Sequence, residues 1–163
     1  MAAPVPDVVA HEARVEIVGE HRFLAPRSIV WERLLDPVAL QASIPGCERF
    51  DVLGPGSFDV TMRVGIGTLK GSYSGHVDVV DEREPDSFRL EVLGSGRQGR
   101  LQGEATVELC DGPRQGETTV RYRGDLRAQG GLARAGLLVL RGASKLLIGQ
   151  FFKAMERQVA AHS

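Results

Sequence analysis

Residues 132–159, LARAGLLVLRGASKLLIGQFFKAMERQV, are the only stretch of this sequence long enough and periodic enough to be a helix of many turns. Leu132, Val139, Ala143, Leu147, Phe151, Met155 and Val159 follow one another at steps of four or seven, the spacing of an apolar helix face. At about 100° per residue the stripe drifts: Leu132, Val139, Leu140 and Ala143 share one face, while Ile148, Phe151, Met155 and Val159 centre on a face turned by roughly a quarter circle. The helix must therefore bend or present a broad apolar surface. Gly136, Gly142 and Gly149 lie along it, each costing about 1 kcal/mol relative to Ala, so its N-terminal half is expected to be the looser one. Leu137, Leu138, Val139 and Leu140 make one turn apolar all round. Such a turn has to meet apolar material on more than one side: a sheet, and then a ligand, a partner or a lipid surface.

Upstream of this helix the chain alternates. Residues 13–24 place Val15, Ile17, Gly19, His21 and Phe23 on one face and Glu16, Glu20 and Arg22 on the other, a half-buried strand. Pro26 stops it, Ile29 to Leu35 around Trp31 fit a short helix, and residues 38–43 fit a second, closed by Pro45-Gly46. Residues 48–53 and 58–64 form a hairpin about Gly54-Pro55-Gly56. Strands over 68–82, 87–93, 100–110 and 117–127 follow, parted by Glu84-Pro85-Asp86, Gly94-Ser95-Gly96 and Asp111-Gly112-Pro113. These elements predict an α+β fold: a seven-stranded curved antiparallel sheet around a long C-terminal helix, with two short helices between strands 1 and 2. Residues 1–10 read as a flexible tail, and 11–163 as one domain.

Gly19, Gly71, Gly75, Gly103 and Gly124 all fall on strand positions that face the helix, which predicts empty volume there, although glycine also serves to kink a curved strand. An apolar space between sheet and helix, entered near residues 137–140, is a hydrophobic-ligand site by default. Its expected lining is His21, Phe23, Ile44, Phe58, Met62, Tyr73, Leu101, Tyr122, Leu126, Leu147 and Phe151, with Leu137 and Leu140 at the portal. Of these, His21, Tyr73 and Tyr122 carry polar groups that suit either a ligand carbonyl or a neighbouring backbone group. Ile44-Pro45-Gly46-Cys47 either lines the wall or shapes a turn.

Several function classes find no support. The formal charge of −1 offers no global attraction to nucleic acid. No apolar run approaches the ~20 residues of a membrane-spanning helix, and the start lacks a secretory signal, so a cytoplasmic protein is expected. Cys47 and Cys110 do not make a zinc knuckle or a CxxC pair, and His11, His21, His76 and His162 include no pair at metal-ligand spacing, so no metal is expected. There is no GxSxG, no phosphate loop and no Cys-His arrangement, hence no catalytic residue to assign. Arg121, Arg123 and Arg127 alternate on an outward face with Arg14 and Arg22 alongside, a solvated row or a dock for an acidic surface.

Ala25-Pro26 followed by Val30-Trp31 resembles the strand-to-helix junction of the START-like, Bet v 1-like (SRPBCC) helix-grip superfamily. Narrower marks are LQASIPGCE at residues 40–48, Val64-Gly65 with Lys70-Gly71, Gly130-Gly131-Leu132 and Gln150-Phe151-Phe152. Together they resemble the carbon monoxide dehydrogenase CoxG family from about Glu16 to Met155. The resemblance implies a non-catalytic accessory protein of molybdenum-containing carbon monoxide dehydrogenases and related hydroxylases. It would have no cofactor of its own, bind a hydrophobic small molecule such as a quinone or lipid, contact the hydroxylase subunits and transiently touch the inner membrane surface. This sequence departs from the family in ending at Ser163, where many members continue into a linker and membrane-binding tail, so stable self-anchoring is not expected. Its residues 137–140 are also more apolar than the usual helix. Two alternatives keep the fold: an assembly or recruitment adaptor docking through residues 137–140, and a cyclase- or hydratase-type enzyme, which needs polar groups converging in the cavity.

Overall fold

Alternating apolar residues pair into one continuous layer in the computed structural model, which describes residues 12–161. In chain order the elements are β1 (Glu12–Phe23), α1 (Arg27–Leu34), α2 (Pro37–Ser43), β2 (Cys47–Gly54), β3 (Ser57–Val64), β4 (Gly71–Arg83), β5 (Ser87–Gly96), β6 (Gly99–Asp111), β7 (Thr118–Gln129), α3 (Gly131–Arg134) and α4 (Leu137–Ala160). The seven antiparallel strands lie in the order β1-β7-β6-β5-β4-β3-β2. β1 and β2 are thus opposite edges, and the segment carrying α1 and α2 crosses the full width of the sheet between them. Asp36 starts α2 by accepting a hydrogen bond from the Ala39 amide at 3.0 Å, with Pro37 in the first turn where its missing N–H costs nothing. The tail expected over 1–10, together with His11 and His162, lies outside the described residues.

Three boundaries differ from those expected. The C-terminal stretch is not one helix, because Gly136 adopts φ 95° and ψ 156° and separates the single turn of α3 from α4. Residues 68–70 do not extend β4; Gly67–Leu69 form a 3-10 turn that buries Leu69. Gly94-Ser95-Gly96 do not form a turn but continue β5, with Gly96 opposite Gly99 and the chain reversing at Arg97-Gln98.

The drift of the apolar stripe becomes two core clusters along α4. Toward its C-terminus Phe152, Met155 and Val159 are buried with Phe23, Val30, Trp31, Phe88 and Val120. Toward its N-terminus Leu140 and Ala143 join Val15, Val64, Leu69, Ala128 and Leu132. Each large side chain so buried contributes about 1.5–3 kcal/mol, so α4 is held at both ends through faces rotated relative to each other.

The Gly130-Gly131-Leu132 corner seats α3 on the β5–β6 hairpin. The Leu132 amide donates to the Gln98 carbonyl at 2.7 Å, and a Cβ on Gly131 would stand 2.6 Å from that oxygen. We expect Gly131→Val to lower unfolding stability by about 1–3 kcal/mol in urea denaturation. Gly142→Ala, whose Cβ would meet nothing within 4 Å, should raise it by about 0.5–1 kcal/mol.

Candidate functional site

A cavity of about 240 Å³ lies between the sheet, the two short helices and the C-terminal part of α4. Its floor is the concave face of β4 and β5, where the cross-strand pairs Val77–Val92 and Val79–Leu90 stand beside Val107 of β6. Phe50, Phe58 and Val60 wall the β2–β3 side; Leu34 and Leu35 at the end of α1, Leu40 of α2 and Ile44 just after it close the next. Phe151 and Phe152 of α4 form the last wall of a cavity that stays partly open to solvent. Every lining side chain is aliphatic or aromatic, so nothing in the wall titrates or donates a hydrogen bond.

Phe152 is both a cavity wall and the clamp of α4. Its ring stacks on His21 at 5.2 Å with an interplanar angle of 13° and on Tyr122 at 5.3 Å and 19°, and meets Phe23 edge-on at 6.1 Å. One turn further on, a Glu156 carboxylate oxygen lies 2.6 Å from His21 Nε2, which ties β1 to the same helix. His21 is therefore engaged within the protein. The same holds for Tyr73, whose hydroxyl donates to the Leu69 carbonyl at 2.7 Å. Burial pushes the Tyr73 and Tyr122 phenols above the usual range, so both stay protonated at neutral pH.

Of the thirteen residues expected at the site, Ile44, Phe58 and Phe151 line the cavity together. Phe23 and Tyr122 pack in the cluster around Phe152 with His21 stacked beside them. Met62, Tyr73, Leu101, Leu126 and Leu147 pack against the other cluster, in which Leu140 is buried. Leu137 stands at the solvent-facing start of α4, so the cavity is at the Phe151 end and not beside residues 137–140. The expected link between glycines and empty volume holds at some positions and fails at others: a Cβ on Gly71 would meet nothing within 4 Å and one on Gly75 would meet only backbone, but three of the five positions are covered. Tyr122 lies across Gly19 and Tyr73 across Gly96, while the Leu126 side chain stands 3.1 Å from a Cβ on Gly103 and Ala105 stands 2.9 Å from one on Gly124. At Gly19, Gly103 and Gly124 a neighbouring side chain uses the space glycine vacates. The residues missed as site residues are Leu34, Leu35 and Leu40 of the short-helix segment, Phe50 and Val60 of β2 and β3, the valine and leucine pairs of β4 and β5 with Phe88, Val107 of β6 and Phe152 of α4; the strand alternation is visible in the sequence but the register is not.

Comparison with known proteins places this architecture. The profile of the carbon monoxide dehydrogenase CoxG family matches residues 19–160. The chain belongs to the CoxG family. A conserved protein from Geobacillus kaustophilus has 28% identity with this CoxG-family chain, with 90% of this chain and 96% of that one covered at a TM-score of 0.86. A START superfamily protein from Mycobacterium smegmatis is similar at 11% identity over 91% and 99% of the two chains, with a TM-score of 0.70. Norcoclaurine synthase from Thalictrum flavum, solved with dopamine and hydroxybenzaldehyde, is similar at 14% identity over 100% and 96%, with a TM-score of 0.64. These two share the START-like fold. No match to the sequence was found among curated proteins.

The CoxG marks have local structural reasons. In the IPGCE segment Ile44 enters the cavity wall, and Gly46, at φ 63°, accepts from the Arg63 amide at 2.8 Å in a place where a Cβ would collide with the Arg63 carbonyl. Glu48 accepts from Arg63 Nε at 3.2 Å and from the Ser72 hydroxyl at 3.3 Å, joining β2 to β3 and β4. Burial pushes the Cys47 thiol up, which disfavours the thiolate. Among the described residues no group of His, Cys, Asp or Glu is arranged to hold a metal ion.

On the outer face His76 sits between Asp59, 2.9 Å from Nδ1, and Asp78, 3.1 Å from Nε2. The hydrogen bond that His76 donates to Asp59, aided by the charge of Asp78, raises its pKa above the ordinary 6.5 despite partial desolvation. A folded-state pKa raised in this way stabilises the fold fully below the unfolded value, and the contribution is lost as pH rises through the folded value. An NMR titration should place the His76 midpoint above the ordinary value, with Asp59→Asn moving it back down.

Proposed function

We propose that this CoxG-family protein is a non-catalytic accessory of a molybdenum-containing carbon monoxide dehydrogenase or related hydroxylase, and that its cavity takes up the hydrocarbon part of a quinone or lipid. The observation that carries this reading is the all-apolar lining of the cavity at Phe151 and Phe152. A quinone carbonyl buried there would lose its hydrogen bonds to water without replacement, at about 1–3 kcal/mol for each unsatisfied group. An isoprenoid or acyl chain carries no such penalty. The volume of about 240 Å³ is below the roughly 300–1,000 Å³ of pockets that enclose drug-sized ligands, which suits part of a long amphipathic molecule with its head left outside.

Family membership supports the partner, and the START-like fold supports the ligand class. Neither norcoclaurine synthase chemistry nor any other turnover finds acid or base groups in this cavity wall. No helix among the described residues is long and apolar enough to cross a membrane. The reading puts the protein on the cytoplasmic side, collecting an apolar molecule from the membrane surface and presenting it to the enzyme.

Solvent extraction and mass spectrometry of the purified protein should recover a long-chain lipid or quinone. Val92→Phe, which adds a ring to the cavity floor, should reduce the recovered amount by about tenfold while costing less than about 3 kcal/mol in stability. A protein that carries no lipid and takes up no quinone analogue removes the carrier role.

A further inference from the structure

The side of α4 turned away from the sheet is not the polar surface that a finished solvent-facing helix presents. Leu138, Gly142, Leu146, Gly149 and Lys153 follow one another at steps of three or four and share one face. Leu138 is 82% exposed and Leu146 49%, with Val139 beside them at 43%, whereas Leu140 and Ala143 opposite are buried. Gly142 and Gly149 have open space where a Cβ would stand. Each costs about 1 kcal/mol relative to Ala in a helix interior, and no contact among the described residues requires either.

The charge of the segment has one sign. From Leu137 to Met155 the charged residues of α4 are Arg141, Lys145 and Lys153, with not one Asp or Glu. Arg141 and Lys145 lie within one turn of Leu138 and Gly142 on the same helix. We propose that this face is the docking site for an acidic amphipathic helix of the partner enzyme. Its leucines would enter the partner's apolar seam, its glycines would let the two backbones approach closely, and its cations would meet Asp and Glu flanking that seam. A symmetric second copy would bring cation against cation. A bilayer gains from bulky inserted side chains and nothing from glycine notches, so a protein surface fits the pattern better than lipid does. The proposal rests on the accessory reading above and names the surface by which that role is carried out.

The test is interferometry of the full chain against purified carbon monoxide dehydrogenase holoenzyme, with quinone uptake and thermal midpoint read in parallel. Leu138→Asp, Lys145→Glu and the Gly142→Leu/Gly149→Leu double variant should each weaken enzyme binding by about tenfold or more, the scale of a lost interface anchor. Quinone uptake should stay unchanged and the midpoint should not fall. Enzyme binding that is unaffected in all three variants overturns the proposal. So does unaffected enzyme binding alongside lost binding to phosphatidylglycerol vesicles, which assigns the face to lipid. Quinone uptake by the unsubstituted chain without any enzyme binding also overturns it, and leaves the cavity reading standing.

Discussion

Phe152, held between His21 of β1 and Tyr122 of β7, is the contact on which the remaining architecture depends. Stacked aromatic pairs contribute about 0.5–1.5 kcal/mol each beyond the area they bury, and here two of them share one ring with Met155 and Val159 buried behind it. The His21–Glu156 contact adds direction more than strength, because about half of the Glu156 side chain is exposed and solvent screens the pair. With Phe152 fixed to the β1–β7 edge, the neighbouring Phe151 is turned toward the middle of the sheet, and the two rings become the wall of a hollow that neither fills.

The hollow persists because the rest of the interior is efficiently occupied elsewhere. Tyr122 lies over Gly19 and Tyr73 over Gly96, so the two inward phenols are spent on covering strand backbone. The second cluster around Leu140 and Ala143 sits on a differently rotated face of α4 and holds the opposite end of the sheet. Between these anchorages the helix offers no large residue to the β4–β5 floor except Phe151 and Phe152. Closing the remaining gap would require α1 and α2 to move inward, yet their ends are fixed: Thr118 donates to the Ala25 carbonyl at 2.7 Å, and Gly46 is locked against Arg63.

Much of this is legible in the chain itself. Period-two alternation yields seven strands, Pro26 and Asp36-Pro37 place the short helices, and the drifting stripe of residues 132–159 foretells two buried faces on the last helix. The location of the hollow is not legible, for a physical reason. A glycine on a concave face predicts space only when no neighbour reaches across it, and that depends on register: Gly19 opposite Tyr122 and Gly103 opposite Leu126 are facts of pairing, not of composition. Similarly, Gly136 is readable as a weak point in a helix, but the positive φ at which one helix ends and the next begins is not readable from composition. The apolar turn at residues 137–140 is too greasy for one partner, as its composition implies; Leu140 turns inward while Leu137, Leu138 and Val139 face solvent, remote from the cavity.

The unfilled apolar chamber walled by Phe151 and Phe152 is open to direct measurement. Xenon occupies dry cavities of this kind without needing any polar contact. Diffraction from crystals of the ligand-free protein under xenon pressure should show a xenon peak among Phe58, Val77, Val92 and Phe151 with the surrounding side chains unmoved. Side chains collapsed into that space, with no xenon between α4 and the β4–β5 floor, would contradict the account.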